Sequence, residues 1–378
     1  MPNNTKLWII IGLSVCLLIC FCGCGSRFTI HSVDPTGEFD LAWMMKIRSP
    51  VITQPVLYQD QLYLAALDRR LYKIDLTTQK ILWKKKFSTY VSQIAPTDSI
   101  LYVVTTLPDE MLYSLSLSKS KNSKSKKKWE RYIGESESSI AFFDSLLFIG
   151  TNASRLLALS RLTGETVWDY PTADFVRSKP VIADSLIIFG SDGGVTLGSL
   201  NTGALTALRL TTGEKVWEFV NPAAISLDLA IKNNHLLIIT EDDQLISIRT
   251  ETGEIRWQKQ IPGINSNPPV LVMERNQVLA HSLTGVCQAF DLDDGQVQWS
   301  VQCPNISTAP LVYGKYVIFV DQSDGKIVVI NYQTNQIIWE YNLDQVVRTR
   351  PLIWKNMLLV GTVKKHLYGF WLPSLQQR

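Results

Sequence analysis

Hydrophobic positions along the chain fall in short runs separated by polar turns, and the same arrangement returns again and again. A proline followed by aliphatic residues opens units at Pro55, Pro180, Pro269, Pro310 and Pro351. A second apolar run follows, as in Leu62–Leu64, Leu146–Ile149, Leu186–Phe189, Leu236–Ile239, Val317–Val320 and Met357–Val360. A third follows a short polar turn, as in Leu71–Ile74, Leu156–Leu159 and Leu367–Phe370. A fourth run, after another turn, carries a tryptophan. Trp43, Trp83, Trp129, Trp168, Trp217, Trp257, Trp299 and Trp339 are spaced by 40, 46, 39, 49, 40, 42 and 40 residues. A period of about 42 residues with four short strands is that of a propeller blade, and no helical period interrupts it, so the chain reads as all-β.

The turn ahead of each tryptophan has readable chemistry. Gly164, Gly213, Gly253 and Gly295 stand four positions before a tryptophan and supply the positive φ of a tight hairpin. Asn335 can do so at some cost, whereas Gln79 cannot do so cheaply, so the first turn is expected to be longer or different. Seven complete units run from about residue 50 to Trp339, and an eighth, from Thr349 to Trp371, lacks its fourth strand. The segment Phe39–Trp43 has the tryptophan but no preceding strands. Pairing the two closes a ring of eight four-stranded antiparallel blades and removes two exposed edges. The expected organisation is a signal over 1–23, a tether over 24–38 and an eight-bladed propeller over 39–378.

Composition narrows the classes. At 46% hydrophobic and 19% charged residues the chain can bury a large core, which excludes disorder. A net charge of +3 is too small to indicate nucleic acid as a partner. Lys6 precedes the uncharged apolar run Leu7–Phe21, the build of an export signal, with an uncleaved helical anchor as the alternative. Its end, Phe21-Cys22-Gly23-Cys24, resembles a bacterial lipobox, with Phe21 and Cys22 as departures and Cys20 or Cys22 as weaker acceptors. That resemblance implies lipidation of Cys24 and acylation of the new amine. Gly25 in place of an aspartate favours the outer membrane. Four of the six cysteines lie in this signal. Cys287 and Cys303 flank a hairpin turn in the body, where an oxidising compartment permits a disulfide but cross-strand geometry is often poor for one.

The Thr-Gly-Glu turn followed by a hydrophobic-Trp strand resembles the PQQ-like β-propeller repeat. In that family the indole docks between blades against a small residue ten positions earlier. Ala158, Ala207, Ser247, Ala289 and Gly369 match, whereas Lys73 and Val329 depart. All eight tryptophans are thereby expected to be packing residues, each worth roughly 3–5 kcal/mol. Quinoprotein dehydrogenases share the architecture but add calcium, an Asp base and a disulfide of adjacent cysteines. The body has no adjacent cysteine pair and no carboxylate cluster, so no catalytic residue, cofactor or metal is expected. His31, His235, His281 and His366 lack metal-ligand spacing, and Gly190–Gly194 reads as a turn between strands rather than a phosphate loop.

The remaining information is in the loops. Ser118–Lys128 holds six lysines, read either as a solvated hairpin tip or as a contact for anionic lipid. Asp192–Ala204 is a Gly-rich insertion. The blade-opening loops Phe175–Lys179, Ile225–Asp228 and Val346–Arg350 put Arg177, Lys179, Arg348 and Arg350 around one channel mouth. Val176, Leu227 and Val347 are the expected apolar anchors of a protein-binding patch, with ordinary solvated loops as an equal alternative.

An exported lipoprotein that is wholly one such propeller is similar to the BamB family, scaffold lipoproteins of the outer-membrane β-barrel assembly machinery. The resemblance implies a monomer within a complex, fixed by its lipid to the outer membrane and facing the periplasm, that binds a BamA-type partner without chemistry. In that family an apolar-Arg segment and acids in the next loop make the contact. Val176 and Arg177 match the first element, with the arginine nearer the proline. Asp228 is the nearest acid for the second, displaced by about one position. Two alternatives remain: a propeller holding a sugar or quinone in its channel, and, behind it, a quinoprotein dehydrogenase.

Overall fold

A computed structural model describes residues 28–29, 39–117, 125–192, 202–265, 267–304 and 307–373. Eight antiparallel sheets are present. Blades 1 to 7 span residues 56–86, 91–132, 141–171, 181–221, 230–260, 270–302 and 311–342, each with four strands in sequence order. Blade 8 takes three strands from residues 352–371 and its fourth from the other end of the chain. Leu41–Lys46 pairs with His366–Trp371, with Trp43 opposite Gly369. Phe28 and Thr29 then pair with Met45 and Met44 as a short fifth strand. The segment expected only as a tether therefore contributes to the outer edge of this blade. No helix among the described residues is long and apolar enough to cross a membrane.

The second strand of a blade is apolar between its end residues because neighbouring blades cover both of its faces. Leu186–Ser191, His235–Ile239 and Tyr316–Val320 are buried at every position. Outer strands such as Thr166–Pro171 alternate between exposed and half-buried positions. The core thus lies between blades. Ala141, Phe148, Leu156 and Ala158 of blade 3, for example, join Ile187, Phe189 and Leu208 of blade 4. Eight such clusters occur, one at each junction, including blade 8 with blade 1.

Each tryptophan sits opposite the third strand of its own blade and reaches into the next junction. Ala158, Ala207, Ser247 and Ala289 face Trp168, Trp217, Trp257 and Trp299, with a register shift beside each. Lys73 and Val329 occupy the same place opposite Trp83 and Trp339 despite their size. Ser114 faces Trp129, a match hidden in the sequence by the Lys-rich insertion. Four indoles donate from Nε1 to the next blade: Trp129 to Arg161 O at 3.2 Å, Trp168 to Leu210 O at 3.0 Å, Trp217 to Thr250 O at 2.9 Å and Trp257 to Leu292 O at 2.8 Å.

Those bonds explain the glycines. A Cβ on Gly164, Gly213, Gly253 or Gly295 would stand 2.7 Å from the indole of the preceding blade, and all four have positive φ. The first turn is not different, contrary to expectation: Gln79 adopts φ 54° and Asn335 φ 55°. Both are tolerated because the preceding indoles go elsewhere, Trp43 to Met357 Sδ at 3.0 Å and Trp299 to a stack on Tyr332 at 4.8 Å. The amide of Thr78 also donates to Asp75 at 2.9 Å, fixing the turn. Cys287 and Cys303 are both free. Cys287 pairs across the hairpin with Val301, so the two thiols are out of register, and burial pushes Cys303 up to about 12.

Candidate binding rim

The loops that lead from the outer strand of one blade to the inner strand of the next share one face, and polar bonds join six of the eight neighbouring pairs. Thr53 Oγ1 donates to Val91 O at 2.6 Å, Gln93 Nε2 to Glu137 O at 2.9 Å and Ser138 Oγ to Ser178 O at 2.9 Å. The Lys179 amide donates to Asp228 Oδ1 at 2.8 Å, and Asn267 Nδ2 to Ser307 O at 3.3 Å. Across the closing junction the Arg350 amide donates to Gln54 Oε1 at 2.8 Å, and Gln54 Nε2 returns a bond to Arg350 O at 3.2 Å. Such bonds hold loop backbones in fixed positions relative to one another.

Val176 was expected to be an apolar anchor for a partner, and the structure corrects this. It is fully buried, and its side chain fills the space over Gly150, where a Cβ would come within 2.4 Å. Val347 is likewise fully buried and Leu227 is half-buried against the core between blades 5 and 6. A partner cannot reach the two valines without opening a blade junction.

The charged residues do reach the surface. Arg177 is half-exposed, with Nε 3.1 Å from Asp192 Oδ2 and 3.7 Å from Glu137 Oε2, and its guanidinium lies 5.2 Å from the centre of the Phe175 ring. Burial raises the Asp192 carboxyl to about 6, with Arg177 pulling the other way. Asp228 spends one oxygen on the Lys179 amide. Arg348 is exposed and pairs with no acid among the described residues. Arg350 reaches solvent but is hemmed in by protein; burial lowers its pKa while the Asp228 carboxylate raises it. Blades 5 and 8 are three places apart in a ring of eight, so this coupling runs across the channel mouth. Sequence reasoning missed Glu137, Asp192 and Gln54. Only the position of Asp192 at the start of the Gly-rich insertion gave a local signal.

Beneath the rim, His281 is buried in a polar network. Asn267 Nδ2 donates to its Nδ1 at 3.0 Å, which places the ring proton on Nε2, 3.0 Å from Ser307 Oγ. A ring in that tautomer is a donor toward the hydroxyl, so the trio is a structural network and not a nucleophile with its base. Burial depresses the His281 pKa to about 4, against 6.5 in the unfolded chain. The folded state thus favours the neutral ring. That preference is complete above pH 6.5 and is lost as pH falls toward 4, by about 3 kcal/mol at most. Urea denaturation at both ends of that window should show this loss in the wild-type chain and a smaller one in His281→Gln.

Cys24 and residues 1–23 lie outside the described residues, as do most of the 24–38 segment, Ser118–Lys124 of the Lys-rich loop and residues 193–201 of the Gly-rich one. Among the described residues no group of three His, Cys, Asp or Glu could hold a metal ion.

Comparison with known proteins gives this geometry a family. A solved structure of BamB from Moraxella catarrhalis superimposes with a TM-score of 0.71 at 18% identity, covering 88% of this chain and 100% of that one. A quinohemoprotein alcohol dehydrogenase from Comamonas testosteroni gives 0.67 at 13% identity, covering 90% of this chain and 78% of that one. At these identities both are likenesses of fold alone. The donor set of a quinoprotein does not fit here, since the two body cysteines are 16 residues apart and the described acids form no metal cluster. The outer membrane protein assembly factor BamB of Yersinia pestis is 22% identical over 240 residues, which span 59% of this chain and 58% of the relative. That of Burkholderia pseudomallei is 23% identical over 341 residues, 84% of this chain and 83% of the relative. A family model described as outer membrane protein assembly factor BamB matches residues 41–126, 123–206 and 201–367, and the chain belongs to that family.

Proposed function

We propose that this protein is a non-catalytic scaffold of outer-membrane β-barrel assembly, carried on the periplasmic side of the outer membrane by a lipid on Cys24. Its blade-opening face holds a partner, of the BamA type, through Arg177, Arg348 and Arg350, with Asp228 as the acidic counterpart. The observation that supports this most directly is the pairing of a charged rim with loop backbones bonded to one another from blade to blade. Fixed loops lose little freedom when a partner docks, so charge pairs there translate into affinity and register.

Affinity capture of the full chain tests the reading. Arg177→Glu should weaken recovery of the assembly partner by at least about 30-fold, as expected for an interface arginine that dominates its contact. Arg177→Gln, which removes the charge without adding repulsion from Asp192 and Glu137, should give a smaller loss. Recovery of no assembly partner, with a sugar or quinone copurifying instead, would favour the ligand-binding reading. Quinone-dependent dye reduction would restore the dehydrogenase reading.

A further inference from the structure

Charge is unevenly spread over the outer wall of the ring. The outer strand of blade 1, Lys80–Lys86, holds four lysines and no acid. That of blade 2, Lys126–Tyr132, holds three lysines and an arginine against a single glutamate. These neighbouring strands carry a net seven positive charges in a chain whose total is +3, so everything else sums to −4. The other outer strands carry less: Val297–Gln302 has no charge, Thr166–Pro171 and Gln336–Asn342 have one acid each, Lys215–Asn221 is balanced, Leu41–Lys46 has one lysine, and Ile255–Gln260, the most basic of them, has one arginine and one lysine.

The nearby acids do not neutralise the wall. Glu130 is taken by Lys127 at 2.6 Å, and Glu110 accepts from the Tyr132 hydroxyl at 2.7 Å. Arg131 is turned to blade 3, donating to Gly164 O and Thr166 Oγ1. Lys84, Lys86, Lys126 and Lys128 remain exposed with no acid within bridging distance among the described residues. The location is also informative. Phe28 and Thr29 pair on the outer edge of blade 8, beside blade 1, so the chain that leads back to the apolar run 7–21 leaves the ring next to this wall.

We propose that the wall formed by the outer strands of blades 1 and 2 rests on an anionic membrane surface and orients the ring on its tether. This rests on the membrane-tethered reading above but needs no contact from the rim. Each lysine brought to an anionic surface raises partition by roughly five-fold, through long-range attraction that salt screens. The attraction reaches about 8 Å at physiological ionic strength and about 3 Å at 1 M salt.

The test uses the full chain reconstituted in phosphatidylcholine vesicles, with and without phosphatidylglycerol, and treated with a water-soluble acetylating reagent. Lys84, Lys86, Lys126 and Lys128 should react at least about ten-fold more slowly on the anionic vesicles, with the difference lost near 1 M salt. Lys215 and Lys326, on distant blades, should react alike on both. In Lys84→Glu/Lys86→Glu, whose thermal midpoint should match wild type because neither side chain is paired, protection of Lys126 and Lys128 should disappear. Equal reactivity on the two vesicles, or protection spread over all blades, would overturn the proposal. So would equal protection by soluble RNA, which would reassign the wall to a nucleic acid. Failure to associate with neutral vesicles, with protection kept on anionic ones, would sink the tether and leave the wall standing.

Discussion

Deletion of residues 39–46 should abolish cooperative folding, leaving a chain with no sharp thermal transition and with exposed apolar surface that binds a hydrophobic dye. The segment is short, but Phe39, Trp43 and Met45 in it are only 4%, 3% and 1% exposed, and they supply two of the eight junction cores. Phe39 stacks on Trp339 of blade 7 at 5.4 Å, while Trp43 fills the space over Gly369 and faces blade 1. Without them the third strand of blade 8 has an unpaired edge and both flanking blades lose a packing face. Trp43→Ala alone should cost about 3–5 kcal/mol in urea denaturation, a large share of the 5–15 kcal/mol of an ordinary fold. A copy of the segment linked after Arg378 should restore the transition if closure is the cause. Persistence of the sharp transition after deletion would show that closure is not what holds the ring.

Gly213→Ala should destabilise the protein by about 3 kcal/mol, a large effect for one methyl group. The new side chain would adopt φ 73°, a conformation that costs an L-residue about 1–2 kcal/mol, and would lie 2.7 Å from Trp168 Cδ2, which adds about 1–3 kcal/mol of overpacking. The second contribution depends on the indole, so in a Trp168→Ala background the same substitution should cost markedly less. Gln79→Gly should have the opposite sign. The preceding indole, Trp43, bonds to Met357 instead of to that turn, and relief of φ 54° should stabilise by about 1 kcal/mol. Additive losses at 168 and 213 would show that the indole contact is not the reason for glycine.

The architecture was legible because its cause is periodic. Each blade needs a buried strand, a turn and an indole at fixed intervals, so the eight tryptophans alone number the blades and reveal the split one. Details failed where the local text does not carry the cause. Gln79 read as an obstacle because the need for glycine comes from the preceding blade's indole, which for blade 1 is Trp43, carried by a strand some 320 residues away from its correctly expected partners in blade 8. Ser114 was missed because an insertion displaced it from its usual count before Trp129. The rim was half legible. Its arginines were visible as charges in loops, but their partners come from other turns: Asp192 and Glu137 meet Arg177 only in three dimensions. Val176 was misread because an apolar residue in a loop looks like a contact, and the hole it fills exists only because Gly150 lacks a side chain.

Four indole bonds run the same way around the ring, from blades 2 to 5 each to the turn of its successor. A unit built like this has a knob on one flank and a matching socket on the other. Blades 3 to 6 share one socket, a left-handed glycine beneath an indole, and are therefore interchangeable modules that gene duplication could add or reorder with little redesign. Blades 1, 7 and 8 are keyed by other fittings, Gln79, Tyr332 and Phe39, and would be poor material for such shuffling. In this lineage, diversity in ring size should originate in the middle of the chain rather than near its seam.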